Sequence, residues 1–181
     1  MGFFDKLFGE KNVRKTEKGG IYLQFIDLFE LPEYEKEMLQ RLVESPVEYY
    51  KRNSINYESR EVDEDADVDD IIWIGILDLL VENEILAELD PRADLDFFRF
   101  SMWLIDKDKT LDLKEDLFHP NAFVKEWFQV LETQLGEDRV IAGIEIDRRS
   151  YGVFLVERPL FLKMAELARA LGRRMDLAKN L

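Results

Sequence analysis

The chain has 181 residues, with 25 basic against 39 acidic side chains and a formal charge of −14 at neutral pH. A length on the order of 100–200 residues suits one domain with its own core, and a hydrophobic share of 46% with 12% aromatics is globular composition, far from that of a disordered acidic chain. The absence of Cys and the single His exclude disulfides, thiolate nucleophiles, Cys-based zinc sites and any two-histidine metal site.

At the N-terminus, Phe3, Phe4, Leu7 and Phe8 fall on one side of a helical turn or two, with Asp5 and Lys6 opposite. Two readings stand. The segment is a short interfacial or docking peptide, drawn toward anionic lipid by Lys11, Arg14, Lys15 and Lys18, or it packs on its own domain. One or two turns bury too little apolar area for stable membrane residence, which favours the second. Residues 9–20, with Gly19, Gly20 and many Lys and Glu, read as a tether. The expected organisation is therefore peptide and tether over 1–20 and a single α+β domain over 21–181. The first apolar residues are too few for a signal-peptide core, and no apolar run approaches the ~20 residues of a membrane span, so a cytoplasmic location is expected.

Ile21 to Glu30 fits a helix better than a strand. Pro32, followed by Glu33 and Glu35, opens a helix whose stripe is Tyr34, Met38, Leu39, Leu42 and Val43, and Pro46 opens a shorter one. Tyr57 to Asp70 is the most acidic stretch, with eight carboxylates against Arg60. Asp63, Asp65 and Asp67 alternate as the first ligands of an EF-hand would. Val68 stands where the turn glycine is needed and Ile74 where the closing glutamate is needed, so a solvated loop is the better reading. Its last carboxylates then sit at a helix N-terminus, where the macrodipole stabilises each by about 0.3–1 kcal/mol.

From about Asp67 to Asn83 the chain is apolar nearly all round and predicts a central buried helix. Gly75 costs about 1 kcal/mol relative to Ala inside a helix and marks a close crossing. Asp78 is the one carboxylate in the run, a candidate acid or base if buried. Asp70, Ile74, Asp78 and Glu82 recur at fours, however, so Asp78 belongs to a narrow polar stripe and reads as a satisfied carboxylate.

Ile85 to Asp90 predicts a short strand closed by Pro91, and Asp94 caps a helix from Leu95 to about Ile105 whose Phe97, Phe98, Phe100, Met102, Trp103 and Leu104 read as core. His119, in a loop before Pro120, has no nucleophile or ligand spacing to recruit it. Asn121 is expected to cap an amphipathic helix with Phe123, Val124, Trp127, Phe128, Leu131 and Leu135 inward and Gly136 as its stop. Arg139–Ile146 and Tyr151–Glu157 form an antiparallel hairpin, apolar on both faces except at Glu145, with the Ile85 strand as third member. Pro159 opens the last helix. The fold class is thus α+β, mostly helical, with helices packed around a small antiparallel sheet of about three strands.

No phosphate-cradling glycine loop, serine elbow or zincin helix is present, and no cofactor is expected. The segment Ile72-Trp73-Ile74, Asp78, Asn83, Ala87-Glu88-Leu89-Asp90 and Asp94-Leu95, with the earlier Pro46-Val47-Glu48-Tyr49, resembles a bacterial family of uncharacterised domains over about 31–157. The resemblance implies no activity; it singles out Trp73, Asp78, Glu88 and Asp90 for testing.

Function is expected to rest on surface electrostatics. The leading reading is a non-catalytic interaction or immunity/inhibitor-like module that binds a basic protein through its acidic middle region, Asp63, Asp65 and Asp67 included. Nucleic-acid binding is excluded by charge repulsion and the lack of a basic aromatic groove. The rival is a carboxylate-based, divalent-metal-dependent enzyme around Asp78, Glu88 and Asp90. A third is peripheral membrane attachment through Phe3, Phe4, Leu7 and Phe8.

Overall fold

Residues 18–181, apart from 59, 61, 64 and 147–149, are described by a computed structural model of the protein. The architecture is α+β, mostly helical, with one antiparallel sheet of four strands in the order β1-β3-β2-β4. Its contacts group into two compact units, one ending at Leu79 and the other running from Leu80 to Leu181.

In the first unit, residues 18–26 are helical (α1), so 18–20, expected as tether, already belong to a helix. At Gly19 a Cβ would meet Val43 only at ordinary contact distance, 3.5 Å, so the packing there does not require a glycine. Helix α2 (Glu33–Glu44) follows Pro32, whose missing N–H costs nothing at a helix start, and α3 (Pro46–Arg52) has proline at its first position. A single turn, α4 (Ser54–Glu58), leads through the acidic loop to α5 (Val68–Glu82). As the continuous apolar pattern requires, every residue of α5 from Ile71 to Leu77 is buried. Phe25 packs edge-on against Phe29 at 5.4 Å between centroids and tilts against Trp73 at 5.6 Å.

Gly75 explains itself here. A Cβ would lie 2.6 Å from both Leu42 Cδ2 and Tyr57 Oη, and that hydroxyl donates to the Ile71 carbonyl at 3.0 Å. The helix-propensity penalty of glycine is accepted so that α2 and α4 side chains can lie against α5.

The second unit is built on the hairpin of β2 (Arg139–Glu145) and β3 (Tyr151–Glu157), in register from Arg139 opposite Glu157 to Glu145 opposite Tyr151. The expected third strand is β1 (Ala87–Leu89), antiparallel to β3. A fourth, β4 (Met175–Leu177), pairs with β2 and has no sequence signal of its own. Both edges are three-residue strands, which limits the exposed ladder available to another chain.

One sheet face carries Ala87, Leu89, Tyr151, Val153 and Ile141 into a core shared with α6 (Leu95–Ile105) and α7 (Val124–Glu132). Phe98 is its hub, with Phe118, Trp127 and Phe128 at 5.9, 5.2 and 5.1 Å between centroids. On this face Gly143 leaves room for the chain end, since a Cβ would come within 2.2 Å of Leu181. Helix α8 (Arg158–Ala170) lies against β2 and β3, and its Met164 and Ala168 are fully buried.

Helix α7 begins two residues later than expected. Glu126 folds back to accept from the Phe123 N–H at 2.8 Å, which satisfies a helix-start donor without an Asn121 cap and leaves Phe123 71% exposed instead of inward.

The packing around Gly75 gives a first prediction. Gly75→Ala gains about 1 kcal/mol of helix propensity but displaces a buried hydrogen-bonded hydroxyl, an overpacking that costs about 1–3 kcal/mol. Urea unfolding will show a net loss, and in the Tyr57→Phe background the loss will shrink, because the hydroxyl that the new methyl group meets is gone.

Candidate protein-binding face

The surface most distinct from a solvated acidic exterior is the outer side of α6. The helix is started by Asp94, whose side chain accepts from the Phe97 N–H at 2.8 Å. Leu95, Phe98, Met102 and Ile105 are buried on its inner side. A helix carrying apolar residues on every side can turn only one of them inward, and here Phe97, Phe100 and Trp103 remain outside, 49%, 53% and 57% exposed. Their spacing of three places them in a row. The Phe100 and Trp103 rings stack, with centroids 6.0 Å apart and planes 24° from parallel. These are the residues the sequence pattern assigns to the core, and the correction follows from competition for one sheet face.

The stretch of chain that carries the row is acidic. From Glu88 to Phe118 there are nine carboxylates and five cations. Arg92 pairs with Asp90 at 3.2 Å, Arg99 with Asp96 at 3.3 Å, Lys114 with Asp112 at 2.9 Å, and Lys107 with Glu84. The cations are thus largely spoken for by neighbours and the surplus is acidic. Arg99 is further fixed by donating from Nε to the Leu113 carbonyl at 2.7 Å, so it braces the helix against the following loop.

Asp106 ends the helix. Its carboxylate is buried and accepts from the Leu111 N–H at 2.7 Å, the Thr110 N–H at 3.0 Å and the Thr110 hydroxyl at 2.8 Å. Burial alone would raise its pKa. The donors from Leu111 and Thr110, with the nearby Arg139 charge, outweigh that and hold it below the usual carboxylate range. The sharp turn they shape includes Lys109 in the left-handed region, φ +54°.

The residues singled out by sequence are placed as follows. Trp73 is buried core of the first unit. Asp78, in the same unit, receives a hydrogen bond from Arg60 Nη2 at 2.5 Å, with side chains 22% and 15% exposed, which fits the satisfied-carboxylate reading. Burial, then the Tyr49 and Asp78 charges, push the neighbouring Tyr57 phenol far above its usual range. Glu88 and Asp90 belong to the second unit. Glu88 stands opposite Gly152 on β1, and Asp90 accepts from Arg92, whose side-chain hydrogen bond holds its carboxyl below the ordinary value. Burial, and secondarily the Asp90 charge, push Tyr151 up to about 12.

Asp63 accepts from the Asp65 N–H at 3.0 Å and Asp67 from the Asp69 N–H at 2.9 Å, so two of the three loop aspartates shape their own turns. Asp65 is exposed. Among the described residues no three of His, Asp and Glu gather as a metal would need. His119 serves the fold: its carbonyl accepts from Trp127 Nε1 at 2.9 Å. Phe3, Phe4, Leu7 and Phe8 lie outside the described residues, and among those described no helix is long and apolar enough to cross a membrane.

A protein-family model for a domain of unknown function matches residues 21–178, extending at both ends beyond the 31–157 resemblance read from the sequence. No curated protein and no solved structure matches the chain.

Two predictions follow from the carboxylates. Asp78→Asn removes the carboxylate charge that the mostly buried Arg60 guanidinium donates to and will lower unfolding free energy by about 1–3 kcal/mol in urea titration. For Asp106, a depressed folded pKa contributes stability above the unfolded value of about 3.9, and that contribution is lost as pH falls through the folded value. Asp106→Asn will therefore lose stability at pH 7, and the gap from the parent will close as the pH falls below about 4.

Proposed function

The chain belongs to the DUF6630 family, and we propose that this member is a cytoplasmic, non-catalytic protein-binding module whose contact face is the outer side of α6. The observation that carries this reading is the row Phe97, Phe100 and Trp103, each about half exposed on a helix whose opposite side is packed. Covering three half-exposed aromatics returns about 2–4 kcal/mol from apolar burial alone. Aromatic side chains of this kind are the usual anchors of protein interfaces.

The partner's chemistry follows from the surroundings. A row carried by a stretch with surplus carboxylates is matched by apolar residues flanked by Lys and Arg. The same carboxylates repel anionic lipid, and a charge of −14 on each molecule opposes pairing of two copies. The engagement of Asp78 by Arg60 and of Asp90 by Arg92 weighs against a carboxylate-based enzyme at those positions. Inhibition or neutralisation of a basic protein is the task this surface suits.

A synthetic amphipathic Lys/Leu peptide serves as the probe. Trp103 is the one exposed tryptophan, since Trp73 and Trp127 are buried, so its emission reports occupancy. The peptide will bind with a Kd that rises steeply with salt, and Phe100→Ala with Trp103→Ala, followed by calorimetry, will weaken it by about tenfold or more. Tyr34→Ala, which removes a still more exposed aromatic of the first unit, will have no effect. Equal losses in both variants, salt-insensitive binding, or flotation with anionic vesicles that depends on Trp103 would each overturn the reading.

A further inference from the structure

The second unit also holds a pocket of about 330 Å³, at the small end of the range that takes metabolite-sized ligands. Leu135, Val140 and Leu177 supply its apolar wall, and Arg139, Arg158 and Lys179 its cations. Three separate stretches bring those charges together. Arg139 opens β2, Arg158 is the first residue of α8, and Lys179 lies in the 3-10 turn Ala178–Asn180 that follows β4.

The cations differ in how they are engaged. Lys179 Nζ is 2.6 Å from Glu132 Oε2, which also lines the pocket. Arg139 Nη1 donates to the Thr110 hydroxyl at 3.2 Å and lies 3.7 Å from Asp108. Arg158 is held by its stem: its backbone N–H donates to the Asp138 carbonyl and its Nε to the Glu137 carbonyl, both at 2.7 Å. Its two terminal nitrogens have no acceptor among the described residues. A guanidinium fixed through Nε with both terminal amines open is a preorganised fork for two oxygens of one oxyanion. The positive end of the thirteen-residue α8 adds to it at the same residue. With Glu132 and Glu137 counted, the lining still carries one more cation than anion, the reverse of a chain at −14.

We propose that this pocket binds a small molecule bearing a carboxylate or phosphate group, with Arg158 gripping the oxyanion, Arg139 and Lys179 supporting it, and the molecule's carbon skeleton resting on Leu135, Val140 and Leu177. The site is independent of the α6 face and does not rest on the protein-binding role.

Calorimetry with inorganic phosphate, citrate and butyrate, each at fixed ionic strength against chloride, tests it. At least one probe will bind with a Kd at or below about 1 mM, and the pattern distinguishes a phosphate ligand from a carboxylate one. Arg158→Gln will weaken that probe by about tenfold or more, and Arg158→Lys, which keeps the charge but not the fork, by an intermediate factor. Arg169→Gln, which removes an exposed charge from the last turn of the same helix, will leave binding unchanged. Circular dichroism confirms that each variant is folded. No binding by any probe, unchanged binding in Arg158→Gln, or an equal loss in Arg169→Gln would overturn the assignment.

Discussion

A sheet whose central strands are apolar on both faces has to be covered twice, and that requirement organises the second unit. Strands β2 and β3 alternate inward residues to both sides, with five consecutive buried positions from Val140 to Ile144. Helices α6 and α7 cover one side through the Phe98 cluster, while α8 lies against the same two strands. Sheet coverage decides which side of α6 is buried, and therefore which aromatics are left in water. The exposed row is a consequence of the packing, since Phe98, Met102 and Ile105 take the available core positions and Phe97, Phe100 and Trp103 have none.

Part of the acidity in this chain is structural. Asp63, Asp67, Asp90, Asp94, Asp106 and Asp112 each accept from a backbone N–H two to five residues onward. A short carboxylate does this well, because it reaches the amide groups that turns and helix starts leave without partners. Clusters of Asp in the sequence thus mark places where the chain changes direction. The acidic loop before α5 belongs to that class through Asp63 and Asp67, whose side chains accept from amides two residues onward.

The two surfaces drawn from the structure differ in kind. On α6 the unbalanced quantity is apolar area on an acidic stretch of chain, and the partner proposed for it is one large enough to cover several rings and supply cations at the rim. Beside Arg158 it is a fixed positive fork in a small concavity, which suits a compact anion. Both lie in the unit from Leu80 onward, on elements fixed by the sheet. In the first unit the aromatic and ionic groups singled out by sequence, Trp73 and Asp78, face packing partners or Arg60.

By itself the sequence determined the punctuation and the pairing of the fold. Pro32, Pro46 and Pro159 mark helix starts because a residue without an N–H is tolerated there, and Asp94 caps because its oxygen reaches the third amide onward. The branched residues of Arg139–Glu145 and Tyr151–Glu157 specify the hairpin, and the fourfold spacing through Asp78 puts that carboxylate on a polar stripe, where Arg60 meets it. Only the tertiary structure decided the rest. Strand β4 is three residues long and takes its conformation from the β2 ladder, so no local pattern announces it. The division at Leu79 falls within α5, whose apolar residues continue on both sides of it with Asp78 as the one interruption. The α6 row and the Arg158 pocket depend on which of several apolar sides meets the sheet and on residues some twenty to forty positions apart in the chain. Periodicity describes one element at a time, whereas exposure is settled by competition among all of them for the same buried space.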